Sequence, residues 1–167
     1  DMTDMPDLPI DRPWIAVDNS NGPLDGSVYV TTMSAYWRPS GHHIYLRSTR
    51  DGGITWSPIR QVDDSVFSVG LMTRSYGAVS VGGDGKVYIA YLSYDSSRHL
   101  FVRHFVAVSS DGGATFQRYI VGNVLLSLTG DFTQGWSITA DPTRNGVAVL
   151  TWIDNRFGDA DVFVRRT

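Results

Sequence analysis

Two arginines occupy matching places in the chain. Laying Ala16-Val17 on Ala78-Val79 superimposes Arg12 on Arg74, each just ahead of an apolar, strand-like string. A pair of guanidiniums presents planar forks of N–H donors that suit a carboxylate or phosphate. The competing use is an ion pair with Asp11, Asp63 or Asp64. Nearby segments mix aromatic rings with charge: YWRPSGHH (36–43), DDSVFSVGLMTRSY (63–76), YDSSRH (94–99), GNVLLSLTGDFTQGW (122–136) and DNRFGD (154–159). A sugar or another anionic polar ligand needs an apolar face to stack on and charged, planar groups to hold its hydroxyls or carboxylate. Arg12, Arg74, Trp37, Asp64, Asp95, Asp154 and Arg156 are therefore the candidate ligand-binding residues.

Catalytic chemistry is more constrained. All 17 acidic residues are aspartate, there is no cysteine, and Lys86 is the one lysine. Thiol nucleophiles, disulfides and Cys-ligated metals are excluded. Asp64, Asp95, Asp131 and Asp154 could supply a general acid and base for an inverting hydrolase, but nothing selects a pair, so no catalytic residue is assigned. No G-x-S-x-G string marks a serine nucleophile among the four histidines. The His42-His43 doublet brings no further metal donor with it. Asp18, Asn19, Asn21 and Asp25 fit no calcium-loop spacing and read as an Asx-rich hairpin. Neither a metal nor a cofactor is expected. A net charge of −3 without a run of Lys/Arg argues against nucleic acid as partner. No apolar stretch has the ~20 residues a spanning helix needs.

The elements that must position these residues are strands. The 167 residues hold 17 glycines and are 42% hydrophobic, with Thr, Ser, Val and Tyr abundant and Glu and Lys all but missing, which disfavours helices. STRDGGITWS (48–57) and SSDGGATFQ (109–117) share the pattern [ST]-x-D-x-G-x-T-[WF], with Asp51 and Asp111 60 residues apart. Their flanks repeat too. WIAVD, GSVYVTT, HIYLRST and IRQVDD are matched by YGAVSV, GKVYIAY, HFVAVSS and FQRYIV, and a third set opens with WSITAD, GVAVLTW and DVFVRRT. Four short strands per unit, joined by tight turns, predict antiparallel meanders arranged around an axis. That is an all-β propeller of four-stranded blades, with a sandwich or a lipocalin-type barrel as the alternatives. The units fall at 9–64, 65–123 and 124–167, the last incomplete, with Thr167 two places before an expected third aspartate.

Within each motif the residue types have local reasons. Gly53 and Gly113, with Gly52 and Gly112, supply positive φ for the turn. Asp51 and Asp111 accept hydrogen bonds from their own turns. Ser109 opens the second motif, Thr55 and Thr115 restart the strand, and Trp56 and Phe116 wedge against a neighbouring hairpin. These residues are structural. Because each strand reverses the last, the motifs share one end of the blades with the short turns 18–26, 82–85 and 141–146. The longer, ring- and charge-bearing segments share the other end, where function usually resides.

The S-x-D-x-G-x-T-W pattern resembles the Asp-box (BNR) repeat of the sialidase superfamily, and RPWIAVD (12–18) and WIDNRFGDADVFVRRT (152–167) resemble its secreted bacterial branch. That resemblance implies about three blades of a six-bladed ring, Asp boxes on the rim away from the site, and an arginine triad holding a carboxylate, its first member ahead of the first strand as Arg12 is. Where the family carries Arg-Ile-Pro, this chain has Arg12-Pro13-Trp14. The resemblance also implies a tyrosine nucleophile activated by glutamate, which a chain without glutamate cannot assemble alone. It implies an extracellular or periplasmic location, and a partner in the form of further blades or a second copy of the chain to cover the exposed sheets. Three readings follow: a carbohydrate-binding glycosidase propeller, a non-catalytic propeller for adhesion or protein recognition, and a half-ring that works only as a dimer.

Overall fold

A computed structural model describes residues 10–34, 43–64, 72–74, 79–94, 102–124, 136–154 and 156–167. It contains twelve strands and no helix among them. The first sheet runs β1 (Ile10–Val17), β2 (Val28–Ser34), β3 (Ile44–Thr49) and β4 (Arg60–Gln61), paired in that order. In the second, β5 (Met72–Arg74) and β6 (Val79–Val81) both pair with β7 (Val87–Tyr94), followed by β8 (Val102–Ser109) and β9 (Gln117–Val124). The third is β10 (Trp136–Ala140), β11 (Ala148–Asp154) and β12 (Asp161–Arg166). Every pairing is antiparallel.

The alternation in β7 explains the stacking. Val87, Ile89 and Tyr91 join Phe105 and Ala107 on one face of the second sheet, against Tyr29, Met33, Ile44, Leu46 and Val62 of the first. Tyr88, Ala90, Leu92 and Val106 cover the other face, against Ile138, Ala140, Ala148, Leu150 and Trp152 of the third. A strand buried on both faces must be apolar throughout, and VYIAYL is. Each fully buried aliphatic or aromatic side chain contributes about 1.5–3 kcal/mol. Tyr91 lies flat on its cross-strand partner Phe105, ring centroids 5.2 Å apart. The outward faces of the first and third sheets keep apolar residues in water: Ile15 is 67% exposed and Val162 71%.

Register relates the three sheets residue by residue. Val28 faces Thr49 and Val87 faces Ser109. Thr167 donates its N–H to Ala148 O, next to the Val149–Arg166 pair. Thr167 therefore occupies the place of Thr49 and Ser109, the residues that open the two repeated turns. In both turns the opening hydroxyl donates to the aspartate (Thr49 Oγ1 to Asp51 Oδ1, 2.8 Å; Ser109 Oγ to Asp111 Oδ1, 2.7 Å) and accepts the N–H of Gly53 or Gly113. The aspartate then accepts the N–H and hydroxyl of Thr55 or Thr115. These bonds hold both carboxyls at a pKa of about 2. Trp56 and Phe116 differ: the indole donates back to Gly53 O, whereas Phe116 packs on the core between the first two sheets.

The inner strands depart from the sequence-based boundaries. Residues 72–74, expected within a loop, form β5 and extend the inner strand of the second sheet beyond β6. Arg74 therefore stands on a strand, opposite Leu92. β5 and β6 pair with β7 at 92–94 and 87–89, and β1 carries an irregularity between Asp11 and Trp14. There Arg12 has a φ of 55°, unusual for a residue with a side chain.

Contacts between sheets rest on close backbone approach. A Cβ on Gly113, where φ is +88°, would lie 2.4 Å from Leu46 Cδ2 in the first sheet. On Gly83 it would meet Pro142 O at 2.2 Å, across the second interface. Arg118 Nε donates to Val62 O (2.8 Å), and Ala140 N donates to Ser80 Oγ (3.0 Å). Gly52 offers a control, with φ +72° but open space around it. In urea melts Gly52→Ala is expected to cost about 1 kcal/mol, the backbone term alone. Gly113→Ala should cost about 2–4 kcal/mol, because the overpacking of Leu46 is added.

Candidate functional site

The end of the sheets opposite the repeated turns gathers the polar groups. At the start of β3, His43 Nδ1 lies 2.8 Å from Asp63 Oδ2, just past β4. Asp63 is buried, and its other oxygen accepts Ile44 N–H at 2.7 Å. The pair exists because β3 and β4 run antiparallel: extending their ladder by one bond, Val62 N to Ile44 O, brings the residues after β4 beside those before β3. The hydrogen bond to Asp63 raises the His43 pKa against the opposing effect of burial. Asp64 lies 3.9 Å from Arg118 Nη1.

A second group sits where the second and third sheets meet. Asp154, at the end of β11, is fully buried. It accepts Arg156 N–H (2.9 Å) and Nε–H (2.8 Å), with Nη2 also in contact, and Trp152 Nε1–H at 3.4 Å. Burial pushes the Asp154 pKa up, and the hydrogen bonds from Arg156 more than reverse this, leaving it below the usual range. Held in this way, the Arg156 guanidinium lies over the Phe163 ring, 4.5 Å from its centroid, a cation–π placement. Trp152 stacks on Phe163 from the core side and meets the buried His104 ring at 5.5 Å. Burial drives the His104 pKa down to about 4, the Asp154 charge opposing it.

Of the sequence candidates, Asp154 and Arg156 are brought together as an ion pair, and Asp64 stands beside Arg118. Arg74 is placed at the register of Asp11, since both face equivalent residues, Leu92 and Met33. Arg12 is the next residue along, so the two arginines are one step out of register rather than superimposed. Trp37, Asp95 and Asp131 lie outside the described residues. Sequence reasoning missed the His43–Asp63 pair and the burial of His104. The first had a readable signal, a histidine entering one strand and an aspartate leaving its antiparallel neighbour. Among the described residues no three His or Asp side chains converge as a metal site.

No protein-family model and no curated protein matches the chain. Solved structures do. A Hadza microbial sialidase superposes with a TM-score of 0.64 at 18% identity, covering 99% of this chain and 33% of its own. A GH93 α-L-arabinofuranosidase of Fusarium graminearum, in complex with arabinobiose, gives 0.63 at 18%, covering 96% and 48%. Trypanosoma rangeli sialidase in complex with sialic acid gives 0.54 at 16%, covering 95% and 28%. The fold is that of these carbohydrate-active propellers, and the chain spans between about a quarter and a half of their lengths.

The two histidines carry opposite pH signatures. His104 has a folded pKa below its unfolded value of 6.5. Its contribution to stability is full above that value and lost as pH falls toward 4, on the order of 3 kcal/mol. His43, with a raised folded pKa, contributes fully below the unfolded value and loses that contribution as pH rises through the folded one. NMR titration of the imidazole resonances is expected to show His104 neutral at pH 5 and His43 still protonated above its ordinary midpoint. Asp63→Asn should bring the His43 midpoint down.

Proposed function

We propose that this chain is part of a secreted, sialidase-like Asp-box propeller, six-bladed when complete, that binds a carbohydrate or another anionic polar ligand at the end bearing His43, Arg74 and Asp154. The observation that carries this reading is the placement of Arg12 and Arg74 one residue apart in register on the inner strands β1 and β5, with Arg12 at a φ of 55° beside the irregularity in β1. The fold likeness supports the same ligand class, since the neighbours are named for action on sialic acid and arabinose-containing sugars. Exposed Ile15, Val17, Val162 and Val164 suit contact with further blades or with a second copy.

Hydrolysis is assigned to the assembled ring rather than to this chain. Without glutamate, the tyrosine–glutamate pair of the sialidase type cannot form from these residues. The same absence favours a second reading, a non-catalytic propeller for adhesion or protein recognition. A glycan array, combined with fluorogenic sialoside and arabinofuranoside assays, separates the two. The expected result is saturable binding of an acidic glycan, weakened at least tenfold by Arg74→Ala at unchanged circular dichroism, with negligible turnover by the 167 residues alone. Binding indifferent to Arg74→Ala would refute the assignment of this end.

A further inference from the structure

Two outward faces of the molecule repeat the faces that its sheets use internally. The register that sets Thr49 beside Val28, Ser109 beside Val87 and Thr167 beside Ala148 makes the three sheets comparable pair by pair. On the side of the first sheet turned to the second, Thr31 faces Leu46 and Met33 faces Ile44. The same places in the second sheet hold Ala90 with Val106 and Leu92 with His104, turned to the third. In the third sheet they hold Thr151 with Val164 and Ile153 with Val162. Leu46 is 1% exposed and Val106 4%, whereas Val164 is 63% exposed.

The opposite faces repeat in the same way. Val79 with Ile89 and Val81 with Val87 are the pairs that the second sheet lays against the first. Ile138 with Leu150 and Ala140 with Ala148 are those that the third lays against the second. Their equivalents in the first sheet, Ile15 with Val30 and Val17 with Val28, form its outward face, where Ile15 and Val17 are exposed. A polar contact has its counterpart too. Ser80 Oγ, opposite Tyr88, accepts Ala140 N–H across the second interface at 3.0 Å. Thr139, opposite Val149, holds the place of Ser80 on the outward face of the third sheet, and Val17 holds the place of Ala140. The hydroxyl and the N–H for one more such bond are therefore both present.

Contiguous exposed apolar surface marks an interaction site. These two faces match each other and not themselves. The fitting partner has a first sheet to meet the third sheet of this chain and a third sheet to meet its first, and a second copy has both. Length agrees, because the chain covers 48% of the arabinofuranosidase propeller, so that two copies span about one such ring.

We propose that two copies of this chain associate head to tail, the third sheet of each against the first sheet of the other, closing a ring of sheets. The proposal rests on the propeller reading given above. A contact between unlike faces closes when the rotation from sheet to sheet inside the chain continues across both junctions, and otherwise builds a filament. Continuing that rotation keeps the direction of the sheets. The ends bearing His43, Arg74 and Asp154 in the two copies then lie on one face of the ring, and the candidate site is built from both.

The test is the mass of the 167-residue chain by sedimentation equilibrium, with Val17→Asp and Val164→Asp placing a charge on one face or the other. The wild-type chain is expected at twice its monomer mass. Each variant alone should be monomeric at unchanged circular dichroism, since every contact uses both faces. An equimolar mixture should recover a dimer, weaker than wild type, through its one unaltered contact. Should a variant fail to fold, Ile15→Ser or Val162→Ser takes its place. A wild-type monomer at the highest soluble concentration, an open series of larger species, a single variant that still dimerises, or a mixture that stays monomeric would each overturn the proposal. A monomer whose acidic-glycan binding is lost in Arg74→Ala overturns only the pairing, and a dimer without that binding overturns only the functional reading.

Discussion

The second sheet must bury both of its faces at once, and the rest of the molecule follows from that constraint. A strand whose side chains alternate sides cannot satisfy it with the usual apolar–polar alternation of a half-exposed sheet. Val87-Tyr88-Ile89-Ala90-Tyr91-Leu92 meets it by being apolar at every position, large residues facing the first sheet and a mixture of large and small facing the third. The small Ala90, Ala140 and Ala148 let the third sheet approach closely enough for backbone contacts such as Gly83 N–H to Asp141 O at 3.0 Å.

Stacking three sheets in this way puts all turns of one kind at one end and all loops of the other kind at the opposite end. The turn end is built from hydroxyl–aspartate corners and Asx turns, whose carboxylates accept mostly from nearby N–H groups and hydroxyls, while Asp84 also holds Lys86 and reaches Gly146 and Asp141 holds Arg144. The loop end is different in kind. There Asp63 and Asp154 are buried and bonded to side chains, fixing His43 and Arg156 rather than closing a turn. The division between scaffold and candidate site is thus visible in what each aspartate bonds to.

Much of this was legible in the sequence because it is local and repeated. The two [ST]-x-D-x-G-x-T motifs adopt the same bonding, and Thr167 falls at the register of Thr49 and Ser109, the residues that open them. The part that was not legible depends on contacts between sheets. β5 is three residues long and surrounded by loop-like composition, and only its pairing with β7 makes it a strand. The one-residue offset between Arg12 and Arg74 comes from the irregularity in β1, which no spacing rule reveals. His104 reads as an ordinary polar residue in β8 until Trp152 of another sheet covers it. Trp37 and Asp95 remain expectations from the sequence.

The central claim, that the doubly covered second sheet holds the fold together, is tested most directly by native-state amide hydrogen exchange. The account predicts that the amides of Ile89, Tyr91, Phe105 and Ala107 are the last to exchange, with a free energy equal to that of global unfolding. Amides in the outer strands β1 and β12 should exchange through smaller openings. Slowest exchange in β1 or β12, with the β7–β8 amides opening earlier, would contradict it.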